Sequence, residues 1–202
     1  DVYKRQMLEE AKGKLIVNRS MLRALGKDVQ LFDGVSDWFA RVNDYAESKG
    51  LVPEHYIISS GLKEIIEGTE IAHEFRRIYA CSFLYDIDGV AYWPAVAVNY
   101  TNKTQFIFKI NKGVESVFDS KLVNQYIEED KRPVPFRRMI YVGDGTTDIP
   151  CMRLVKNSGG HSIAVYNPDR KGASKEMASL IHDNRVSHVC PADYTEGSEM
   201  DI

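Results

Sequence analysis

Two carboxylates four residues apart are the residues of this sequence whose spacing points most directly to chemistry. Asp144 and Asp148 lie in the run Gly-Asp-Gly-Thr-Thr-Asp (143–148), which follows the apolar run 139–142. Glycines on both sides of Asp144 allow a sharp turn that leaves its carboxylate exposed. Hard oxygen ligands of this kind suit Mg²⁺, which binds a few carboxylates and keeps waters. A simpler interpretation makes Asp148 a helix N-cap and Asp144 a turn residue.

Two further groups of residues could bind phosphate. Ser59, Ser60 and Gly61 follow a short apolar run and precede a helix-like segment. Their hydroxyls and backbone N–H groups would then lie at a helix start, where the dipole and the unsatisfied donors suit a phosphate. Lys103 stands near the start of another predicted helix, and a cation there is unfavourable unless an anion offsets the dipole. Taken alone, Ser60 is only an N-cap and Lys103 only a solvent-exposed lysine.

The elements that must position these residues alternate between strands and helices. Apolar runs bounded by turn residues predict strands that end at the serines and at residues 142, 166 and 190. Helical spacing and capping residues predict helices near 62–67, 103–113, 149–157 and 171–184. Aromatic and β-branched runs around Asp88-Gly89 predict a β-hairpin at about 79–98. This alternation implies an α/β fold in which a parallel sheet carries helices on both faces, and ligands bind beyond the carboxyl ends of its strands.

Composition limits the classes of function. The chain has 202 residues and a formal net charge of −3, which suits one α/β domain and argues against nucleic acid or an anionic membrane as the main partner. No apolar run approaches the roughly 18 residues of a membrane span. The cysteines Cys81, Cys151 and Cys190 are scattered, which predicts buried thiols in a reducing cytoplasm rather than disulfides. A cytoplasmic location is therefore expected.

Taken together and in their order along the chain, these pieces resemble the haloacid dehalogenase superfamily, and most closely its phosphoserine-phosphatase-like branch. The resemblance rests on Ile-Ile-Ser-Ser-Gly (57–61), Lys103-Thr104 and Val-Gly-Asp-Gly-Thr-Thr-Asp-Ile-Pro (142–150). It covers roughly residues 30–190, and Gly-Asp-Gly-x-x-Asp is its most specific part. It implies a Rossmann-like parallel sheet and a magnesium-dependent phosphohydrolase that acts on a small phosphorylated metabolite through an aspartyl-phosphate.

The resemblance also implies a role for each candidate residue. Ser59 would hydrogen-bond the transferring phosphoryl group, helped by the backbone of the next two residues, and Lys103 would offset charge on the phosphate and nucleophile. Asp144 would bind Mg²⁺ directly, and Asp148 would support the metal through water or by orienting Lys103. Thr147 stands where close phosphoserine phosphatases have asparagine, so the substrate need not be phosphoserine.

A nucleophilic aspartate is implied upstream of this chain. No Asp-x-Asp-x-Thr motif precedes Ser59, and the similar run Asp-Ile-Asp-Gly (86–89) follows it and fits a hairpin turn. We therefore expect the first central strand to be missing, residues 7–32 to be the remnant of a small helical cap, and residues 33–202 to be the Rossmann-like core. Residues 1–6 have the sequence that one end of a common sequencing adapter encodes in one reading frame, and they are interpreted as a non-native scar. The chain alone is expected to be inactive and poorly stable, because two strand edges would be unpaired.

Other functions stay open at this point. A phosphotransferase or mutase would use the same aspartyl-phosphate. The phosphorylation domain of P-type ion pumps carries a similar Gly-Asp-Gly-x-x-Asp, although that interpretation expects transmembrane runs. A non-catalytic phosphate- or metal-binding module would keep the fold without the nucleophile. A purely structural α/β domain would leave the ordered set Ser59, Lys103, Asp144 and Asp148 unexplained.

Overall fold

A computed structural model describes residues 2–202 and shows an α/β protein with one mixed and one parallel sheet. The α-helices are α1 Val2–Ala11, α2 Arg19–Leu25, α3 Val35–Ser48, α4 Lys63–Ile66, α5 Lys103–Asn111, α6 Ser120–Asn124, α7 Ile149–Asn157 and α8 Ala173–His182. The strands are β1 His55–Leu62, β2 Phe75–Tyr85, β3 Ala91–Val96, β4 Ile140–Gly143, β5 His161–Tyr166 and β6 His188–Pro191. The predicted α/β class is confirmed.

The mixed sheet has β2 at its centre, parallel to β1 and antiparallel to β3. Between β2 and β3 the Asp86 carboxylate accepts hydrogen bonds from the Asp88 and Val90 N–H groups, at 3.0 and 2.8 Å. Gly89 supplies the left-handed backbone of this turn at φ 76°. The predicted hairpin is confirmed, and the run 86–89 is its turn.

The second sheet is fully parallel, in the order β4-β5-β6. Its three predicted strands are confirmed, and their carboxyl ends lie along one edge because all three run in the same direction. Helices α7 and α8 pack against this sheet through a compact apolar core. That core consists of Met152, Ala164, Met177, Leu180 and Val186.

Two compact units divide the described chain, and each has its own apolar core. The first contains the residues up to Leu31 and Asn43–Asn99, and the second contains Phe32–Val42 and Tyr100–Ile202. In the first unit, α2 packs so close to α4 that a Cβ on Gly26 would lie 2.2 Å from the Ile65 carbonyl oxygen. Its core consists of Val17, Leu22, Phe83 and Ala91.

In the second unit, the start of α3 packs against the last residues of the chain. Trp38 meets Tyr194 edge to face with ring centroids 5.5 Å apart. Arg41 donates to the Asp201 carboxylate at 2.9 Å and to the Tyr194 carbonyl at 2.5 Å. The contact between Trp38 and Tyr194 and the two hydrogen bonds of Arg41 therefore hold the C-terminal segment in place.

Several smaller expectations can be compared with the structure. The three cysteines are free and buried, as predicted. Asp1, the first residue of the predicted scar, lies outside the described residues, and the next five residues begin α1. Within residues 2–202, no helix combines the length and apolar character needed to cross a membrane.

Candidate functional site

The candidate site lies where β4 ends, in the second unit. After Gly143 the chain bends, forms a 3₁₀ turn over Thr146–Asp148 and enters α7. A Cβ on Gly143 would lie 2.7 Å from both the Asp148 Cβ and the Met152 Cε. The missing side chain therefore lets Asp148 pack directly against the strand end.

Lys103 and Asp148 form a buried ion pair at this place. The Lys103 ammonium donates to Asp148 Oδ1 at 2.8 Å, and the two side chains are only 8% and 7% exposed. Phe106, Ile107 and Ile110 bury the inner face of α5 and so fix the helix that carries the lysine. The interpretation of Lys103 as a solvent-exposed lysine is therefore wrong.

Asp148 occupies the N-cap position of α7, but its carboxylate makes no capping hydrogen bond. Its Oδ1 instead accepts the Tyr141 hydroxyl at 2.6 Å as well as the Lys103 ammonium. The side chain is thus directed to the lysine and tyrosine, and the N-cap interpretation does not describe its contacts. Orientation of Lys103 by Asp148 is one of the two roles that the resemblance implied, and the contact it needs is present.

Tyr141 is a member of this cluster that sequence reasoning missed. Burial, and then the neighbouring Asp148 charge, raise the pKa of the Tyr141 phenol far above its usual value. Burial also raises the pKa of the nearby Cys151 thiol to about 11. Both groups stay neutral at physiological pH, so Tyr141 acts as a hydrogen-bond donor to the Asp148 carboxylate. The one available signal was a tyrosine inside an otherwise aliphatic strand.

Asp144 presents its carboxylate to solvent at the end of β4. Burial raises the pKa of Tyr194 to about 12, and the charges of Cys190 and Asp144 contribute to that shift. Asp144 therefore lies within electrostatic reach of Tyr194, which follows β6 at the same edge of the parallel sheet. The exposed Asp144 carboxylate is accessible to a ligand that approaches this edge of the parallel sheet.

The serine–glycine triplet lies in a bulge at the end of β1, just before α4. β1 runs through it and ends at Leu62, and the helix that follows has only four residues. Ser59 lies opposite Ala80 and Leu62 opposite Cys81, so the residues between them bulge out of the ladder. The triplet is followed directly by Leu62, the N-cap of α4, so the predicted order of strand, triplet and helix is present, whereas Ser60 is not the N-cap. Within the triplet, the Gly61 N–H donates to Ser59 Oγ at 3.0 Å.

The structure brings together three of the predicted site residues. Lys103, Asp144 and Asp148 belong to the second unit and lie at or beside the carboxyl end of β4. Ser59, Ser60 and Gly61 belong to the first unit.

Few side chains of the candidate site could bind a metal ion. Within residues 2–202, no group of three or more His, Cys, Asp or Glu side chains could hold a metal. Asp148 Oδ1 is engaged by Lys103 and Tyr141, so Asp144 is the carboxylate best placed to bind a cation directly. Magnesium is commonly bound through one or two carboxylates together with waters and substrate phosphates. Asp144 offers one exposed carboxylate, and among residues 2–202 no metal site is formed by three or more protein side chains.

Comparison with known proteins leaves the family open. No protein-family model matches the chain. An uncharacterized protein of Borreliella burgdorferi is 29% identical over 207 residues, in a match that covers 91% of this chain and 68% of the relative. The similarity shows that a related sequence exists over most of this chain, and it assigns no activity to either protein.

Proposed function

We propose that this chain is part of a magnesium-dependent phosphohydrolase of the haloacid dehalogenase type, acting on a small phosphorylated metabolite. The observation that carries the proposal is the buried Lys103–Asp148 pair beside the exposed Asp144 carboxylate. A cation and a carboxylate then stand at the carboxyl edge of a parallel sheet, where ligands of such sheets bind.

The proposed roles follow from the contacts. A lysine ammonium has three N–H donors, and one of those of Lys103 is directed to Asp148. The others would neutralise charge on a phosphoryl group, while Asp148 and Tyr141 hold the amine in place. Asp144 would bind Mg²⁺, and the bound ion would offset repulsion between the phosphate and an anionic nucleophile. Positioning and electrostatics of this kind supply most of the catalysis in phosphoryl transfer.

The nucleophile in this proposal is an aspartate on a strand upstream of the chain. It would attack phosphorus, release the alcohol and form an aspartyl-phosphate that water then hydrolyses. In the described part of the chain, β1 and β4 are edge strands of their sheets, so each has an edge to which a further strand could bind. The proposed Rossmann-like core would include the parallel sheet with α7 and α8.

The first experiment is to sequence the DNA upstream of this reading frame and to express the full-length product. We expect an apolar strand that ends in Asp-x-Asp-x-Thr, and magnesium-dependent hydrolysis of p-nitrophenyl phosphate that EDTA abolishes. Lys103→Met should lower kcat at least about 100-fold, as does loss of a group that stabilises charge in a transition state. Lys109→Met is the matched control, because Lys109 lies on the same helix, is equally buried and donates to backbone carbonyls.

Asp144→Asn should raise the magnesium concentration needed for half-maximal rate, and the exposed Asp169→Asn should leave it unchanged. If Lys103→Met keeps its turnover and does not differ from Lys109→Met, the proposed site is refuted. A full-length product that contains no such aspartate motif, and that binds phosphate with Mg²⁺ but does not hydrolyse esters, would instead identify a non-catalytic binding module. Transfer of phosphate to an added alcohol in preference to water would identify a phosphotransferase.

A further inference from the structure

A basic cleft lies in the first unit, beside α4 and the first half of β2. It has a volume of about 520 Å³, which is within the range of small-molecule sites. Four cationic side chains, Arg23, Lys63, Arg76 and Arg77, line it together with the carboxylate of Glu67. The chain as a whole carries a net charge of −3, so this concentration of positive charge does not follow from its composition.

The strand β2 is irregular where two consecutive arginines line the cleft. In a regular strand, successive side chains point to opposite faces of the sheet. Here the pairing moves from His55 opposite Phe75 to Tyr56 opposite Arg77, so Arg76 is an extra residue in the ladder. Arg76 and Arg77 both line the cleft, as do their neighbours Phe75 and Ile78. Bulges are over-represented next to functional sites.

Carboxylates hold several of these cations in place while leaving them accessible. Arg23 donates to Glu67 Oε2 at 3.2 and 2.7 Å through two nitrogens, and Lys63 lies 3.6 Å from the other oxygen of Glu67. Arg76 pairs with Glu54. The side chains of Arg23, Lys63 and Arg76 remain 50%, 44% and 53% exposed. A guanidinium has five N–H donors in a fork that matches phosphate oxygens, so exposed arginines of this kind suit a phosphate ligand.

We propose that this cleft binds a small ligand that carries at least two linked phosphate groups, at a site separate from Lys103 and Asp144. Arg76 and Arg77 would hold one phosphate, and Arg23 with Lys63 the other. The size of the cleft favours a small ligand. A long nucleic acid would need a stripe of cations that the net negative charge of the chain opposes.

The test measures binding of inorganic pyrophosphate to the purified full-length product by calorimetry, with thermal stabilisation as a second readout. Arg76→Met and Arg77→Met should each weaken binding at least about tenfold, the effect of losing a hydrogen bond to a charged group. Arg77→Lys keeps the charge without the fork and should fall between Arg77→Met and wild type. Arg153→Met is the matched control, because Arg153 is exposed on α7 in the other unit. Circular dichroism confirms that each variant is folded.

The outcomes separate this cleft from the proposed phosphoryl site. Weaker binding in the cleft variants, with Arg153→Met like wild type, supports the cleft. Binding lost only in Lys103→Met would overturn the cleft while favouring the proposed function. Equal losses in Arg153→Met and the cleft variants, or no binding by wild type, would show that no such site exists. Displacement of pyrophosphate by a much tighter single-stranded oligonucleotide would overturn the small-ligand assignment.

Discussion

Removal of the Lys103 ammonium tests the buried ion pair directly. Lys103→Met keeps a long unbranched side chain in the same space and removes the charge that faces Asp148 Oδ1 at 2.8 Å. The Asp148 carboxylate would then keep the Tyr141 hydroxyl as a donor, but it would lose its counter-ion at a site that is only 7% exposed. A buried carboxylate without its cation is the state that this substitution creates.

The expected loss of unfolding free energy is about 3–5 kcal/mol, the cost of removing one partner of a buried pair. With a urea dependence of about 2 kcal/mol per molar, the midpoint should fall by about 2 M. Lys131→Met is the control, because Lys131 and its partner Glu128 are 67% and 54% exposed. The unfolding free energy of Lys131→Met should fall by less than about 1 kcal/mol, as it does when other exposed pairs are broken.

Tryptophan fluorescence can restrict the measurement to the unit that holds the pair. Trp38 lies in the second unit and Trp93 in the first, so a Trp93→Phe background leaves Trp38 as the reporter. In that background, Lys103→Met with Asp148→Asn should recover at least about 1 kcal/mol relative to Lys103→Met alone, because no charge is left stranded. A loss below about 1 kcal/mol in Lys103→Met, or no recovery in the double variant, would refute the reasoning.

Three further predictions test other features of the fold. Tyr141→Phe should cost about 1–3 kcal/mol in urea unfolding, because a buried charged acceptor loses a donor; an unchanged midpoint would contradict this. Gly26→Ala should cost more than about 1–3 kcal/mol through overpacking, whereas Gly145→Ala, with no atom closer than 3.9 Å to the added Cβ, should cost less than Gly26→Ala in the same measurement. Hydrogen bonds from the Gly197 N–H and Arg41 lower the pKa of Asp201. The stabilisation lost in Asp201→Asn should therefore be constant above about pH 4 and shrink as the pH falls through the folded pKa; a difference that grows in acid would contradict it.

The sequence predicted the elements whose signals are local. β4, β5 and β6 are short apolar runs bounded by turn residues, and the hairpin is marked by Asp88-Gly89 between aromatic and β-branched arms. The run 143–148 was predicted as a strand-to-helix turn, and its glycines allow the close packing that is observed. In each case the residues that decide the conformation lie within a few positions of one another.

Features that depend on distant partners could not be predicted. Lys103 is buried because it contacts Asp148, 45 residues later, and the residues next to the lysine do not predict that contact. The bulge after Ser59 depends on the register with β2, so a serine–glycine run that looks like a strand end continues as strand. The role of Tyr141 could not be predicted for the same reason, because it depends on the contact of its hydroxyl with Asp148.

The two pairings of β2 have a consequence for the order of folding. Ser82–Tyr85 pair with β3 across the short turn at Asp86, whereas Phe75–Cys81 pair with β1 through a crossover that contains α4. Short loops close with less entropy loss than long ones, and hairpins form within about 1–10 μs. The β2–β3 hairpin should therefore form first and offer a template to which β1 adds. Substitutions in the Asp86 turn would then slow folding, and those in α4 would mainly speed unfolding.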